Sequence, residues 1–235
     1  MNRYERNIQL LGLEAQKKIS KAKVLVAGAG GLGSTVIVNL ASLGIGTLGI
    51  IDKDIIEPSN FNRQYIHLSE NTGKSKSKSA FEWVKSYNPD ISVKFFNINL
   101  DKNNYKKISE EFDIIIDCFD SYKSKFLLNY IAIQTNKVLV HGGVSGFCGQ
   151  VFTVIPHKTA CLRCLLPEAD ENENINQGIV SPVVSTIASL QSMEVLKLII
   201  GQGDVLTNQI LTFNALKTEF RKITFERNKN CPVCG

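Results

Sequence analysis

The chain has 235 residues, 43% hydrophobic and 21% charged, the ordinary make-up of a soluble globular protein and enough for one large domain, 1–235, with a substantial core. Its net charge of +5 comes from dispersed lysines with no basic stripe, which argues against nucleic acid as a partner. No apolar run is long enough to span a bilayer and the N-terminus lacks the core of a secretion signal, so no membrane association and a cytoplasmic location are expected.

In chain order, Tyr4 to Ser20 reads as an amphipathic pre-helix carrying Ile8, Leu10, Leu11 and Leu13, of a kind that packs on its own domain or on a second subunit. Arg3 and Arg6 lie on it and by default are solvated. Val24 to Ala27 is a buried strand, and the turn Gly28-Ala29-Gly30-Gly31-Leu32-Gly33 leads into a helix from Ser34 to Leu43. Glycines at 28, 30 and 33 suit a strand-to-helix turn whose backbone approaches a phosphate and still packs on the sheet. A second strand, Thr47 to Ile51, ends at Asp52, about 20 residues on, where a carboxylate can accept from ribose hydroxyls. Asp52-Lys53-Asp54 and the polar loop Ser59-Asn60-Phe61-Asn62-Arg63-Gln64 follow, and a plain dinucleotide fold has no need of such a loop.

Lys74, Lys76 and Lys78 precede a helix expected over Ser79 to Tyr87 and ended by Pro89. Lysine is disfavoured at a helix N-terminus, so these three read either as a solvated face or as neighbours of a bound anion. Ile91 to Phe96 alternates as a strand does, and Lys102 to Glu111 reads as a short helix. The buried strand Asp113 to Cys118 delivers Asp120 and Ser121 at its carboxyl end, where open parallel sheets bind ligands. The pair suits Mg²⁺ or a phosphate, and Ser121 or Asp120 can equally cap the helix Tyr122 to Gln134. Val138 to Val140 is a further strand; a lone histidine at a strand end is more often structural than catalytic, and His67, His141 and His157 are assigned no role.

Beyond Gly146 the pattern changes. Gln150 to Ile155 alternates, Glu168 to Gln177 is acidic and nearly without apolar residues and so reads as a mobile loop, and Val183 to Ile200 is a long apolar helix opened by Pro182. Gln209 to Phe213 and Glu219 to Thr224 read as short strands. Two Cys-x-x-Cys hooks, Cys161/Cys164 and Cys231/Cys234, sit in a chain without an export signal. They point to metal rather than disulfides, and four thiolates make a closed, tetrahedral, structural Zn²⁺ site. Cys118 and Cys148 read as buried packing thiols.

Taken together, Arg3-Tyr4-x-Arg6, GAGGLGS, Asp52-x-Asp54, SNFNRQ, GKSK, DCFDS, SPVV with SLQSMEVLKL and the two cysteine hooks resemble the ThiF/MoeB/HesA family, relatives of the ubiquitin-activating enzymes. The motifs run in order through nearly the whole chain. The resemblance implies a Rossmann-like, mostly parallel α/β sheet with helices on both faces, continued by antiparallel strands and the zinc site. A nucleotide-binding part would cover about 20–145 and a zinc- and carrier-binding part about 146–235. It further implies a homodimer that uses ATP and Mg²⁺ to adenylate the C-terminal Gly-Gly of a small ubiquitin-like sulfur carrier, for thiamine or molybdopterin synthesis, with sulfur supplied by a separate donor protein.

By the same resemblance Gly28, Gly30, Gly31, Gly33, Asp52, Asp54, Ser59, Asn60, Asn62, Gln64 and Ser121 bind the nucleotide. Asn60, Arg63 and Lys76 contact the phosphates, Asp120 holds Mg²⁺, and Arg6 reaches into the partner's site. Some relatives place a cysteine in the loop before SPVV, but here it reads Asn174-Ile175-Asn176-Gln177, which argues against a covalent carrier intermediate. A microcin-maturation-like enzyme that adenylates a short peptide is the alternative. An NAD-dependent oxidoreductase, resting on the glycine turn and Asp52 alone, leaves Arg63, Lys76, Asp120 and the cysteine hooks unexplained.

Overall fold

A computed structural model describes residues 3–171 and 178–235. Along the chain come α1 (Glu5–Leu11), α2 (Leu13–Ile19), β1 (Lys23–Ala27), α3 (Gly31–Leu43), β2 (Thr47–Ile51), α4 (Lys76–Tyr87), β3 (Ser92–Phe96), α5 (Tyr105–Ser109) and β4 (Ile114–Asp117). They are followed by α6 (Tyr122–Gln134), β5 (Val138–Ser145), β6 (Cys148–Val154), α7 (Leu162–Leu165), α8 (Ser181–Ile200), β7 (Gln209–Asn214) and β8 (Glu219–Thr224). The strands form one sheet in the order β3-β2-β1-β4-β5-β6-β7-β8. Strands β1 to β5 pair in parallel, and β5 through β8 pair antiparallel, as expected.

Alternation along the central strands divides the core into two layers. Val24 and Val26 of β1 join Val36, Ile37 and Leu40 of α3 and Ile187 and Val195 of α8 on one face. Leu25 and Ala27 join Ile115, Phe126, Ile131 and Phe152 on the other. Helices therefore cover both faces, the arrangement that near-continuous apolar strands such as Ile114–Asp117 require.

Several boundaries differ from the expectation, each for a local reason. The pre-helix is two helices, broken at Gly12, whose φ of +83° is a left-handed value that helix cannot continue through. α1 buries none of its residues, and Leu10 is left 84% exposed. α4 starts at Lys76 rather than Ser79, because the Ser75 hydroxyl caps it by accepting from the Lys78 N–H at 3.4 Å. β5 runs on through Gly142-Gly143 to Ser145 and turns tightly into β6. α8 is, against the sequence expectation, long and apolar enough by length and composition to cross a membrane. In the fold it is a core helix, with Val183, Val184, Ile187, Ala188 and Val195 at most 1% exposed. The mobile loop expected at Glu168 to Gln177 lies, for residues 172–177, outside the described residues.

Candidate functional site

A cavity of about 700 Å³ opens at the carboxyl ends of β1, β2, β3 and β4. This is where a parallel sheet presents its loops to ligands. The glycine turn after β1 forms one wall, and its glycines do different jobs. Gly28 has φ +104°, and a Cβ there would lie 2.7 Å from the Cys118 carbonyl oxygen; at Gly33 a Cβ would lie 1.9 Å from the Gly28 carbonyl oxygen. Those two let the turn fold back on β4. Gly28, Gly30 and Gly31 line the cavity itself, and α3 begins at Gly31 on that wall, where a helix N-terminus favours an anion. Gly33 does not border the cavity, so its part is packing rather than nucleotide contact.

Asp52, 8% exposed at the end of β2, lines the cavity while organising the backbone around it. Its Oδ2 accepts the Ala29 N–H at 2.7 Å and its Oδ1 accepts the Asp54 N–H at 2.8 Å. Burial pushes its carboxyl above the ordinary value, although these two N–H groups and Lys76 pull the other way. Lys76, in the first turn of α4, is 8% exposed, with Nζ 3.6 Å from the half-exposed Asp54 carboxylate. A nearly buried lysine at a helix N-terminus is electrostatically awkward unless anions face it, and Asp54 meets only part of that need.

The polar loop supplies the far wall. Asn60 is buried and borders the cavity at a short 3₁₀ turn, its Oδ1 accepting the Glu57 N–H at 3.1 Å and its amide donating to Ser59 Oγ at 3.5 Å. Arg63 donates from Nη1 to the Ser59 carbonyl at 3.1 Å and to Asn62 Oδ1 at 2.7 Å. Gln64, 2% exposed, borders the cavity with a buried Oε1 that has no partner among the described residues. Ser59 also borders the cavity; Asn62 does not, because its amide donates to the Ile179 carbonyl at 3.4 Å and its oxygen serves Arg63.

At the end of β4 the exposed Asp120 and the half-buried Ser121 border the same cavity. Ser121 caps α6, its Oγ accepting the Ser124 N–H at 3.3 Å, while Asp120 takes part in none of the ion pairs among the described residues. An accessible carboxylate facing a phosphate-sized space suits Mg²⁺, a hard cation that keeps several waters and takes one or two carboxylates. Arg6 lies outside this cavity, exposed on α1, with Nη1 donating to Gln9 Oε1 at 3.0 Å.

One group at the site went unread in the sequence. Lys125 borders the cavity from α6 and is 7% exposed, its Nζ 3.3 Å from Asp117 Oδ2 and donating to the Gly142 carbonyl at 2.6 Å. Asp117 is fully buried and also accepts from His141 Nδ1 at 2.7 Å. Burial pushes the Asp117 carboxyl up, but Lys125 and His141 outweigh it and hold it below the ordinary value; burial likewise holds His141 below its ordinary value. A lysine one turn into a mostly apolar helix was the only signal, and its partner is eight residues back on another element. Asp120, Lys125 and Val144 also border an adjoining cavity of about 410 Å³, floored by Gln150 and Thr212 of the antiparallel strands.

The four hook cysteines converge. Their Sγ atoms all lie within 4.8 Å of one another, with Cys161–Cys231 at 3.7 Å, Cys161–Cys164 at 3.9 Å and Cys164–Cys234 at 3.4 Å. Tetrahedral Zn²⁺ at about 2.3 Å from each sulfur sets its ligands about 3.8 Å apart, so the donor set fits. Of the other two cysteines, Cys118 is buried and its thiol is pushed far up by burial beside Asp117. Cys148, expected to be buried, is exposed: it sits beside the β5–β6 turn and faces the smaller cavity instead of the core.

Comparison with known proteins gives the family and the fold. The ThiF family model matches residues 4–233. The chain is 34% identical over 241 residues to the SAMP-activating enzyme E1 of Haloferax volcanii, covering all of this chain and 89% of that protein. It is 33% identical over 247 residues to the sulfur carrier protein adenylyltransferase of Thermus thermophilus, covering all of this chain and 91% of that protein. The solved structure of E. coli MccB with ATP matches at a TM-score of 0.88 and 27% identity, over all of this chain and 74% of that one.

Proposed function

The chain belongs to the ThiF family and is a nucleotidyltransferase, and on that footing we propose that it adenylates the C-terminal Gly-Gly carboxylate of a small ubiquitin-like sulfur carrier with ATP, releasing pyrophosphate. The observation that carries the reading is the cavity at the strand ends: a glycine turn, the cations Lys53, Arg63, Lys76 and Lys125, and the accessible carboxylate of Asp120, which no cation pairs among the described residues, around a single space. A carboxylate attacking an α-phosphate brings two anions together. The site must therefore supply alignment and positive charge, and neither an acid nor a base is required.

In this reading Asp52 and Gln64 take the nucleoside, while the turn at Gly28, Gly30 and Gly31 lies along the phosphates. Asn60, Arg63 and Lys76 contact the phosphate oxygens. Asp54 holds Lys76 in place, and Ser59 and Ser121 complete the polar lining. Asp120 holds Mg²⁺, which when bound neutralises phosphate charge and orients the leaving pyrophosphate. The adjoining cavity, sharing Asp120 and Lys125 with the first, receives the carrier's tail from the side of the antiparallel strands. Zn²⁺ on Cys161, Cys164, Cys231 and Cys234 is structural and ties the C-terminal hook to α7.

The protein acts as a homodimer. α1 carries Arg6 and the exposed Leu10 away from its own cavity, which suits a helix that buries its apolar side on a second copy and lends Arg6 to the site there. A separate protein donates the sulfur, and the pathway served is thiamine or molybdopterin synthesis. The test is mass-spectrometric detection of the acyl-adenylate on a Gly-Gly carrier: it should form with the wild-type chain and not with Asp120→Ala. Mixing inactive Arg6→Ala and Asp120→Ala subunits should restore partial activity. A short-peptide substrate is the second reading, favoured by the likeness to MccB, which has been solved with the peptide MccA. Adenylation of a free peptide in preference to a Gly-Gly carrier would establish it.

A further inference from the structure

His67 belongs to no part of the reading above, yet its buried ring closes a circuit of hydrogen bonds behind the nucleotide cavity. The Ala29 N–H, in the glycine turn, donates to Asp52 Oδ2 at 2.7 Å. The Asp52 carbonyl accepts from Ser77 Oγ at 3.0 Å, and Ser77 sits in α4 next to Lys76. One half-turn further along α4, Ser79 Oγ lies 3.1 Å from His67 Nδ1, and His67 Nε2 lies 2.9 Å from the Ala29 carbonyl oxygen. The path thus returns to the residue it left. Ala29 and Ser77 are wholly buried, and His67 and Ser79 are 3% and 4% exposed.

The chemistry of the partners fixes the ring's protonation. A carbonyl oxygen only accepts, so Nε2 carries the hydrogen and donates to Ala29; in the neutral ring Nδ1 then accepts from the Ser79 hydroxyl. Burial, with the Lys76 charge close by, holds His67 below its ordinary value and so keeps it neutral. The backbone N–H of His67 meanwhile donates to the Gln64 carbonyl at 3.1 Å. The imidazole thus bridges the glycine turn and α4 directly, Asp52 closes the ring through Ala29 and Ser77, and Gln64 joins through the His67 backbone, while His67 itself does not border the cavity.

We propose that His67, with Ser79 behind it, is a positioning residue for nucleotide binding: it holds the glycine turn and the Lys76 helix in the mutual register that the phosphates require. Side chains that fix a binding group act on affinity by sparing the ligand the cost of ordering it. The effect belongs to ATP and not to the acyl substrate, because none of the ring's members borders the adjoining cavity.

The experiment compares wild type with His67→Leu, His67→Gln and Ser79→Ala in the full-length protein. It reads the ATP dissociation constant by direct titration with Mg·ATP, the turnover number at saturating ATP, the KM for the carrier, and the thermal midpoint. His67→Leu should weaken ATP binding roughly tenfold, the size of one hydrogen bond to a buried carbonyl, while turnover at saturating ATP and the carrier KM stay within about threefold. His67→Gln, whose amide can still donate to Ala29, should recover ATP affinity to within about threefold. A folded His67→Leu protein with wild-type ATP affinity, or a His67→Gln protein as weak as His67→Leu, overturns the proposal. Should His67→Leu not fold, Ser79→Ala decides: ATP affinity weakened about threefold supports the role, and unchanged affinity overturns it. Failure of the wild-type protein to bind ATP at all would instead sink the nucleotide reading on which the inference rests.

Discussion

Removing the charge of Lys125 should cost far more than removing a surface lysine, because of what it leaves behind. Lys125→Met deletes the ammonium 3.3 Å from Asp117 and leaves a fully buried carboxylate with only the neutral His141 ring and the Phe119 N–H to satisfy it. Breaking a buried pair from one side costs about 3–5 kcal/mol. For a chain of this size each kcal/mol moves the thermal midpoint by roughly 2–4 °C, so a fall of roughly 6–20 °C is expected. The double variant Asp117→Asn/Lys125→Met removes both charges and keeps an oxygen to accept from His141 Nδ1, and it should recover most of that loss. Denaturant titration of wild type, Asp117→Asn, Lys125→Met and the double variant gives the coupling directly. A single variant within 1 kcal/mol of wild type, or a double variant no more stable than the single, would refute the claim that Asp117 and Lys125 form a mutually dependent buried pair.

Acid should act through the two buried imidazoles. His67 and His141 have folded values below the 6.5 of an unfolded histidine, so the unfolded chain takes up protons first, and stability is complete above about pH 6.5 and declines as the pH falls through it. Asp117, held below 3.8, adds a further loss only as the pH drops through that value; a thermal midpoint that rises between pH 7 and pH 5.5 would contradict this. Gly33→Ala and Gly30→Ala should part company. The first forces a Cβ to 1.9 Å from a carbonyl oxygen and should destabilise the fold by about 3 kcal/mol, whereas the second meets nothing closer than 3.7 Å and should fold normally yet bind ATP less well; equal melting temperatures would refute the distinction. Stripping Zn²⁺ with a chelator, or Cys231→Ser, should lower the thermal midpoint without altering residual ATP affinity. A chelated protein that melts like the untreated one would remove zinc from the fold.

What the sequence disclosed was local. The strand-turn-helix from Val24 to Leu43 is written in adjacent residues, and the spacing of the cysteine hooks needs only four thiols to be named, so both could be read directly. The break at Gly12 was missed because a glycine between two helical patterns is tolerated in some contexts and terminates in others. The start of α4 was set three residues late because the lysines masked a serine cap. Non-local pairing hid the rest. His67 gains its role from Ala29 and Ser79 and Lys125 from Asp117 and Gly142, none of which a linear pattern encodes. Asn62 sits within the same polar run as Asn60 and Arg63, yet its side chain is taken up by the Ile179 carbonyl and Arg63 and it does not border the cavity. Cys148 looked like a core thiol only because its strand neighbours are apolar; its register beside Ser145 at the sheet's hairpin end leaves it open.

The most direct measurement is exchange of labelled pyrophosphate into ATP, catalysed by the purified chain with Mg²⁺ and a small ubiquitin-like protein ending in Gly-Gly. Exchange should depend on that protein's free carboxylate, vanish when its C-terminus is amidated, and vanish with Asp120→Ala. Exchange that proceeds equally with the amidated protein, or none with any carboxylate-ending protein or peptide despite tight ATP binding, would contradict the account.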